Sequence, residues 1–273
     1  NFWWMGFPNR RVNNWNPWCN SNWLTATLLL ERDQERRQAA VVKILRSLDR
    51  FVDPYPTDGG CDEGPGYWGR AGASLFDCLE LLHGASDGAI DVYDRPLIQE
   101  MGRYIYRVQI ADRYFVNFAD AAALVSPSAS LVFQYGQRIG DKKMMALGAE
   151  GAKGQNLFEK GAGDSIGRQL PALFALEELA AVEPAQPLPR DAWFSEIQVM
   201  AARDREGSAE GLYVAAKGGH NAESHNHNDI GHFIAYAGGK PVVVDAGVED
   251  YTAKTFSSQR YEIWTMQSAY HSL

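Results

Sequence analysis

The hydrophobic pattern changes its period near residue 183, and this change limits the fold more than any other feature of the sequence. Before it, apolar side chains recur every three or four residues, as in helices that pack on helices. The run EPAQPLPRD at 183–191 interrupts the pattern, and short β-branched and aromatic runs follow. The sequence therefore predicts an α+β protein with a helical domain over 1–182, a linker over 183–191 and an antiparallel, sandwich-like β-sheet domain over 192–273.

The charge balance excludes some classes of partner. The chain has a net charge of −8 and no run of Lys or Arg, which is unlike proteins that bind nucleic acid or an anionic membrane surface. No apolar stretch approaches the roughly 20 residues that a membrane helix needs. The 12% aromatic residues exceed the needs of a core, and exposed rings such as Trp15 suit stacking on sugars. For most of these rings, packing in the core is the first interpretation, and stacking on sugars is the alternative.

A histidine-rich stretch in the second half carries most of the metal-binding potential. His225 and His227 are two residues apart, so in extended backbone both imidazoles would point to one face. The runs IGHFIAYA and PVVVDAG, joined by Gly-Gly-Lys, predict a hairpin that brings Asp245 back towards them, and His271 follows in QSAYHSL. Imidazoles and a carboxylate suit Zn²⁺. The spacing alone leaves a zinc site and ordinary packed histidines as equal alternatives.

Two segments of the helical half are predicted to be loops at the rim of a site. The Asn- and Trp-rich start offers Asn13, Asn14 and Asn16 for contacting a carboxylate or sugar hydroxyls, before a helix expected to begin near residues 21–22. The Gly- and Pro-rich segment over 53–72 places Glu63 and Tyr67 four residues apart before a further helix.

A third rim loop is predicted at VNFADAAA. This segment lies between helical patterns and carries Asn117 and Asp120. Asn117 is a candidate for contacting the substrate.

Five motifs together resemble the heparinase II/III-like family of polysaccharide lyases: NNWNPWCNSNW, DGGCDEGPGYWGRAG, GGHNAESHNHNDIGHF, VVVDAGVEDYTAKTF and QSAYHS. The resemblance implies an incomplete α/α toroid followed by antiparallel β-sheets. It also implies action on acidic, uronic-acid polysaccharides and a periplasmic or secreted location. A homo-oligomer is a possibility that the sequence leaves open. Early toroid helices and later strands of the family are not evident, so the chain is expected to be a fragment.

The resemblance also implies roles for individual residues. Tyr67 matches the catalytic tyrosine of the family and His225 its catalytic histidine. The loop with Asn13 and Asn14 matches the position of the group that neutralises the substrate carboxylate, and either residue fits.

A zinc site is part of the same resemblance. His227, Asp245 and His271 match the family's zinc ligands, and the implied role of the ion is mainly structural.

Several functions fit these features. The first expectation is a lyase that cleaves a heparan sulfate-like polysaccharide by β-elimination. The alternatives are an alginate or oligoalginate lyase of the same architecture, a zinc-dependent hydrolase, and a carbohydrate-binding protein without catalytic activity.

Overall fold

The computed structural model describes residues 1–161 and 165–273, and its first two thirds are mainly helical. After a 3₁₀ turn at Trp3–Met5, the α-helices follow in chain order: α1 Trp15–Leu30, α2 Gln34–Val52, α3 Pro65–Trp68, α4 Gly72–Ala85, α5 Pro96–Arg107, α6 Ala129–Arg138, α7 Lys142–Gly154, α8 Leu157–Lys160 and α9 Ile166–Ala180. Two short antiparallel strands, β1 Gln109–Ala111 and β2 Tyr114–Phe115, separate α5 from α6.

Two helix boundaries differ from the sequence-based expectation. Helix α1 begins at Trp15 rather than near residues 21–22, because the Asn13 side chain accepts a hydrogen bond from the Trp15 amide at 3.2 Å. Buried Asn16 and Asn20, which the sequence placed in a loop or at its end, bind Ser47 of α2 instead. At the other boundary, α5 ends at Arg107, and the chain continues as strand β1 within the domain that was predicted to be helical.

The second part is an antiparallel meander. Its strands are β3 Asp191–Phe194, β4 Val199–Arg203, β5 Leu212–Lys217, β6 Phe233–Ala237 and β7 Lys240–Val243, and they pair in sequence order. The hairpin of β6 and β7 through Gly238 and Gly239 confirms the predicted one, and both glycines have positive φ, as such a turn requires. Over the described residues the strands form one five-stranded sheet rather than a sandwich.

One face of this sheet joins the helices in a continuous hydrophobic core. Phe194, Ala215, Ile234 and Tyr236 point inwards and cluster with helical residues such as Leu75, while alternate positions of the strands face outwards. Alternation of this kind is typical of an antiparallel sheet with one buried face.

A buried arginine fastens the sheet to the helical part. Arg203 of β4 donates to the carbonyl oxygens of Gln109 and Ile110, at 2.6 and 2.9 Å. Because these carbonyls belong to β1, the two parts of the chain are joined by hydrogen bonds as well as by apolar packing.

Within the described ranges, no helix has both the length and the apolar character that crossing a bilayer requires.

Two loops of the helical part approach each other beside the sheet. Gly64 has a φ of 85°, and a Cβ added there would lie 2.7 Å from the Cβ of Ala121. Only glycine permits this close approach. It brings the segment that carries Tyr67 next to the segment that carries Asp120.

Candidate active site

Tyr67 lies at the junction of the helical part and the sheet part. It belongs to the single turn α3, which begins with Pro65 at a position where the missing N–H costs nothing. Its ring packs on the imidazole of His225 with centroids 4.5 Å apart, and its hydroxyl is hydrogen-bonded to that of Tyr251. Burial raises the pKa of Tyr67, with a smaller contribution from the charge of Asp120, and the bond to Tyr251 offsets only part of this. The phenol therefore keeps its proton at neutral pH.

The histidine loop between β5 and β6 is fixed by a buried ion triplet. The Lys217 ammonium lies 2.9 Å from Asp229 and 3.0 Å from Glu223, and all three side chains are at least nine-tenths buried. The backbone of this loop is not extended at His225, where φ is 55°. The prediction that an extended backbone turns His225 and His227 to one face is therefore wrong in its backbone detail.

The two imidazoles meet on one carboxylate instead. Asp120 Oδ2 lies 2.7 Å from His225 Nδ1, and Asp120 Oδ1 lies 2.9 Å from His227 Nε2. Arg260 donates to Oδ1 at 2.8 Å, and the Tyr251 hydroxyl donates to Oδ2 at 3.0 Å. The Asp120 carboxylate, on a loop of the helical part, thus accepts hydrogen bonds from four side chains of the C-terminal part.

Asp120 is ionised in this setting. Burial raises the pKa of its carboxyl, but the hydrogen bonds from His225, His227 and Arg260 outweigh burial and hold the pKa far below its usual range. An ionised carboxylate accepts hydrogen bonds and donates none. Each nitrogen that contacts Asp120 therefore carries a proton.

Glu63 and Asn14 form the other wall beside His225. Glu63 is 3% exposed, and its Oε2 lies 3.7 Å from His225 Nε2 while its Oε1 lies 3.5 Å from the Asn14 amide nitrogen. Burial raises the pKa of Glu63 to about 7, against the opposing influence of His225. The Asn14 side-chain oxygen is buried without a hydrogen-bond partner among the described residues, whereas the Asn13 side chain accepts from the Trp15 amide. Of the two asparagines, Asn14 is the one whose backbone contacts Glu63, the neighbour of His225.

The remaining candidates for substrate contact differ in exposure. Trp15 is 44% exposed and packs against Trp3 and Trp18, so its ring can accept a ligand from solvent. Asn117 is 3% exposed and lies in the segment that leads to Asp120. Because Asn117 is buried, it is better placed to stabilise this loop than to contact a polymer directly.

A second cluster, at the base of the histidine loop, has the donor atoms of a metal site. His232 Nε2 and His271 Nδ1 lie 3.0 and 3.2 Å from Asp245 Oδ2, and the three side chains are fully buried. Among the described residues, none of these three atoms meets a partner in strict hydrogen-bond geometry, although both imidazole nitrogens lie beside Asp245 Oδ2 and help to hold the pKa of its carboxyl below the usual range despite burial. Two imidazoles and a carboxylate with unpartnered donor atoms fit Zn²⁺. The cluster contains two of the three predicted ligands.

The third predicted ligand, His227, lies beside this cluster rather than in it. Its ring centroid is 5.7 Å from that of His271, and its Nδ1 is buried without a partner. His232 lies nearer than His227 to Asp245 and His271. However, the Nδ1 of His232 accepts a hydrogen bond from the Ser272 amide at 2.9 Å. A neutral imidazole whose Nδ1 accepts must carry its proton on Nε2. His227 therefore has a lone pair free for a metal, and His232 in this arrangement does not.

Sequence reasoning missed three members of the site: Asp120 was placed in a rim loop without a role, and Tyr251 and Arg260 were given none. No spacing rule connects them, because Asp120 is more than a hundred residues from its partners. Tyr251 lies in VEDYTAKTF, one of the motifs that carry the family resemblance, and that motif was the one available signal.

The architecture and the site define a class of protein, in which helices precede an antiparallel sheet and tyrosine, histidine and carboxylate side chains meet between them. A crystal structure of heparinase III superimposes with a TM-score of 0.70 at 14% identity over 98% of this chain. A second heparinase III gives 0.60 at 19% identity over 92%, and heparan sulfate lyase HepC from Pedobacter heparinus gives 0.55 at 16% over 93%. This chain spans 39, 35 and 35% of the length of those proteins, respectively. At these identities the likeness concerns the fold.

A match to a family model covers the sheet part of the chain. Residues 187–272 match the model of the heparinase II/III-like C-terminal family, which confirms the resemblance drawn from the sequence motifs. Among curated protein sequences, none is significantly similar to this chain.

Proposed function

We propose that the protein is a polysaccharide lyase that cleaves an acidic, uronic-acid polysaccharide of the heparan sulfate type by β-elimination. The observation that carries this proposal is the pairing of a protonated phenol with an imidazole, Tyr67 on His225, at the junction of the two parts. Support comes from the family match over 187–272 and from the likeness of the fold to heparinase III and heparan sulfate lyase.

The proposed reaction needs a base, an acid and a neutraliser. The C5 hydrogen of a uronic acid is weakly acidic because it lies next to a carboxylate, whose charge opposes carbanion formation. A base removes this proton, the C4–O4 bond breaks, and an acid protonates O4, which leaves a double bond between C4 and C5. Groups that remove or supply these protons must lie within hydrogen-bond reach of them.

Tyr67 and His225 divide the proton transfers in this proposal. Because Nδ1 of His225 carries a proton towards Asp120, its Nε2 holds the lone pair and serves as the base. Tyr67, which keeps its proton, serves as the acid for O4. For a substrate epimer whose C5 hydrogen and O4 lie on one face, Tyr67 takes both roles, which requires that its phenol first passes its own proton to a base, then takes the C5 proton and returns it to O4.

Asn14 and Glu63 are proposed to neutralise the substrate carboxylate. The amide of Asn14 is a neutral donor, and Glu63 is a donor when it is protonated, as its pKa of about 7 allows below neutral pH. Donors of this kind stabilise negative charge as it moves onto the carboxyl group in the transition state. Trp15 is proposed to stack on a neighbouring sugar ring.

We propose zinc as the resident metal, held by Asp245, His271 and His227, since these residues offer unpartnered buried donor atoms. When bound, the ion would cross-link the histidine loop to the His271 segment, which is a structural role. His227→Ala should lose most bound zinc, and His232→Ala should retain more, as measured by elemental analysis of the purified proteins. Full zinc in His227→Ala together with loss in His232→Ala would instead assign the site to His232.

The decisive experiment is a search for unsaturated product. The protein is incubated with heparan sulfate, chondroitin sulfate, hyaluronan and alginate, and the ultraviolet absorbance of the conjugated uronate is followed. Signal from heparan sulfate supports the proposal, and signal from alginate alone supports the related alginate lyase. Cleavage without absorbance indicates a zinc hydrolase, and binding without cleavage indicates a carbohydrate-binding protein.

Two further features belong to the same proposal. The helical part is proposed to contribute to an α/α toroid, and the protein is proposed to act in the periplasm or outside the cell, where polysaccharide is accessible.

A further inference from the structure

Asp120 contacts the two histidines of the HNH sequence with different oxygen atoms. Its Oδ2 lies 2.7 Å from Nδ1 of His225, and its Oδ1 lies 2.9 Å from Nε2 of His227. The Asp120 and His227 side chains are fully buried, and that of His225 is 12% exposed. Water therefore has little access to compete for these contacts.

The contacts leave opposite nitrogens of the two rings bare. A carboxylate only accepts, so the proton of each neutral imidazole lies on the nitrogen that faces Asp120. The lone pair of His225 is then on Nε2, 3.7 Å from Glu63 at the wall of the cleft. The lone pair of His227 is on Nδ1, which is buried, has no hydrogen-bond partner, and belongs to a ring packed on His271.

We propose that Asp120 is a positioning residue that fixes the tautomers of His225 and His227 together, one oxygen for each ring. The same carboxylate thereby presents one lone pair to the substrate and the other to the neighbouring metal-binding cluster. The part that concerns His225 as a base rests on the proposed function. The tautomers themselves do not depend on it.

The other partners of Asp120 make a sharp test available. Asparagine has almost the same shape as aspartate, but its amide has one accepting oxygen and one donating nitrogen. Arg260 donates to Oδ1, so in Asp120→Asn the amide oxygen should remain on the side of Arg260 and His227. The NH₂ group then faces His225. We expect His225 to move its proton to Nε2 while His227 keeps its tautomer.

The measurement is ¹⁵N NMR of the ring nitrogens in protein labelled on histidine, since a bare nitrogen resonates well downfield of a protonated one. His225→Gln and His227→Gln assign the signals. In the parent protein we expect a bare Nε2 on His225 and a bare Nδ1 on His227, or a metal-bound Nδ1 when zinc is present. In Asp120→Asn we expect inversion at His225 alone.

Two functional measurements accompany the spectra. With Nε2 protonated, His225 cannot accept the C5 proton, so kcat of Asp120→Asn should fall by about 10²- to 10⁴-fold with a much smaller change in KM. Zinc content should stay near that of the parent, because His227 keeps its lone pair. Arg260→Gln is the matched control: it removes a donor to Asp120 but leaves the carboxylate, so both tautomers should persist.

The proposal has clear contrary results. A parent spectrum with the proton of His225 on Nε2 would overturn it without any variant, so a poorly folded Asp120→Asn does not weaken the test. Unchanged tautomers in a folded Asp120→Asn would overturn it as well. Absence of unsaturated product from every polysaccharide would contradict the proposed function but not the proposal about Asp120, because the spectra would still report the tautomers.

Discussion

At the scale of single residues, Tyr67 is the side chain whose hydroxyl can be tested most directly. The substitution Tyr67→Phe keeps the ring that packs on His225 and removes only the hydroxyl that bonds Tyr251. If the hydroxyl moves a proton, kcat should fall by about 10²- to 10⁴-fold while the fold and zinc content are retained. The measurement is the rate of release of unsaturated product.

A matched control for this variant is Tyr114→Phe, which deletes a hydroxyl from a ring that packs on Tyr236 rather than on His225. Its activity should stay close to that of the parent. Equal activity of the two variants would remove Tyr67 from the mechanism.

Glu63 gives a prediction about stability and pH. Its pKa is raised from 4.5 to about 7 by burial, so the folded state disfavours its ionised form. The unfolded chain releases this proton near pH 4.5 and the folded one near pH 7, so stability declines as pH rises through this window. At about 1.36 kcal/mol per pKa unit, the loss reaches roughly 3 kcal/mol above pH 7.

The variant Glu63→Gln removes this titration. Urea unfolding at pH 5 and pH 8 should show a smaller loss of stability between the two values in Glu63→Gln than in the parent. An equal loss in both proteins would mean that Glu63 does not titrate in this range.

The individual residues differ in how far the sequence could predict them. Tyr67 and His225 lie in motifs with a local pattern, and the structure brings them together. Asp120 could not be predicted as their partner, because its contacts depend on loops that are distant in sequence. His232 lies among the histidines that the sequence drew attention to, but only the hydrogen bond from Ser272 distinguishes its tautomer from that of His227.

At the scale of elements, the loop between β5 and β6 depends on its buried triplet of Lys217, Glu223 and Asp229. Removing the cation in Lys217→Ala leaves two buried carboxylates without their counter-charge. Breaking a buried ion pair in this way typically costs about 3–5 kcal/mol. We expect a loss of this size in urea unfolding, together with weaker zinc binding, since the triplet anchors the histidine loop.

The exposed pair of Lys254 and Glu262 provides the comparison. Lys254→Ala should change stability by no more than about 1 kcal/mol, because solvent screens such pairs. Similar losses in the two lysine variants would show that the buried triplet adds no more than a surface pair.

Elements were predicted best where the period was regular. The hairpin of β6 and β7 follows directly from its glycine turn and alternating strands. The start of α1 was misplaced because its asparagines, which usually favour turns, are buried here against Ser47. The left-handed backbone of His225 could not be read from HNHND, since tertiary contacts impose it.

At the scale of the whole molecule, one hydrophobic core runs through the helices and the inner face of the sheet. Although the change in hydrophobic period predicted two domains, this core and the bonds of Arg203 predict that they unfold together. Circular dichroism of the helices and tryptophan fluorescence should give coincident urea transitions. Two separated transitions would show that the parts are independently stable.

The change in hydrophobic period also predicts that helices come first along the chain and strands second. It does not predict how the two parts pack against each other. Helix and strand patterns specify which faces are apolar, but many arrangements would bury those faces. The observed arrangement depends on specific contacts, such as the approach of Gly64 to Ala121.

The position of Asp120 has a consequence for the time at which the protein becomes reactive. All four donors to its carboxylate, His225, His227, Tyr251 and Arg260, are synthesised at least a hundred residues after it. Until they arrive, the carboxylate lacks both these donors and the covering that they provide, so it remains in contact with water. A nascent chain would therefore carry Tyr67 but no oriented imidazole, and the ability to abstract a proton would appear only after the C-terminal part has been synthesised and has packed on the Asp120 loop.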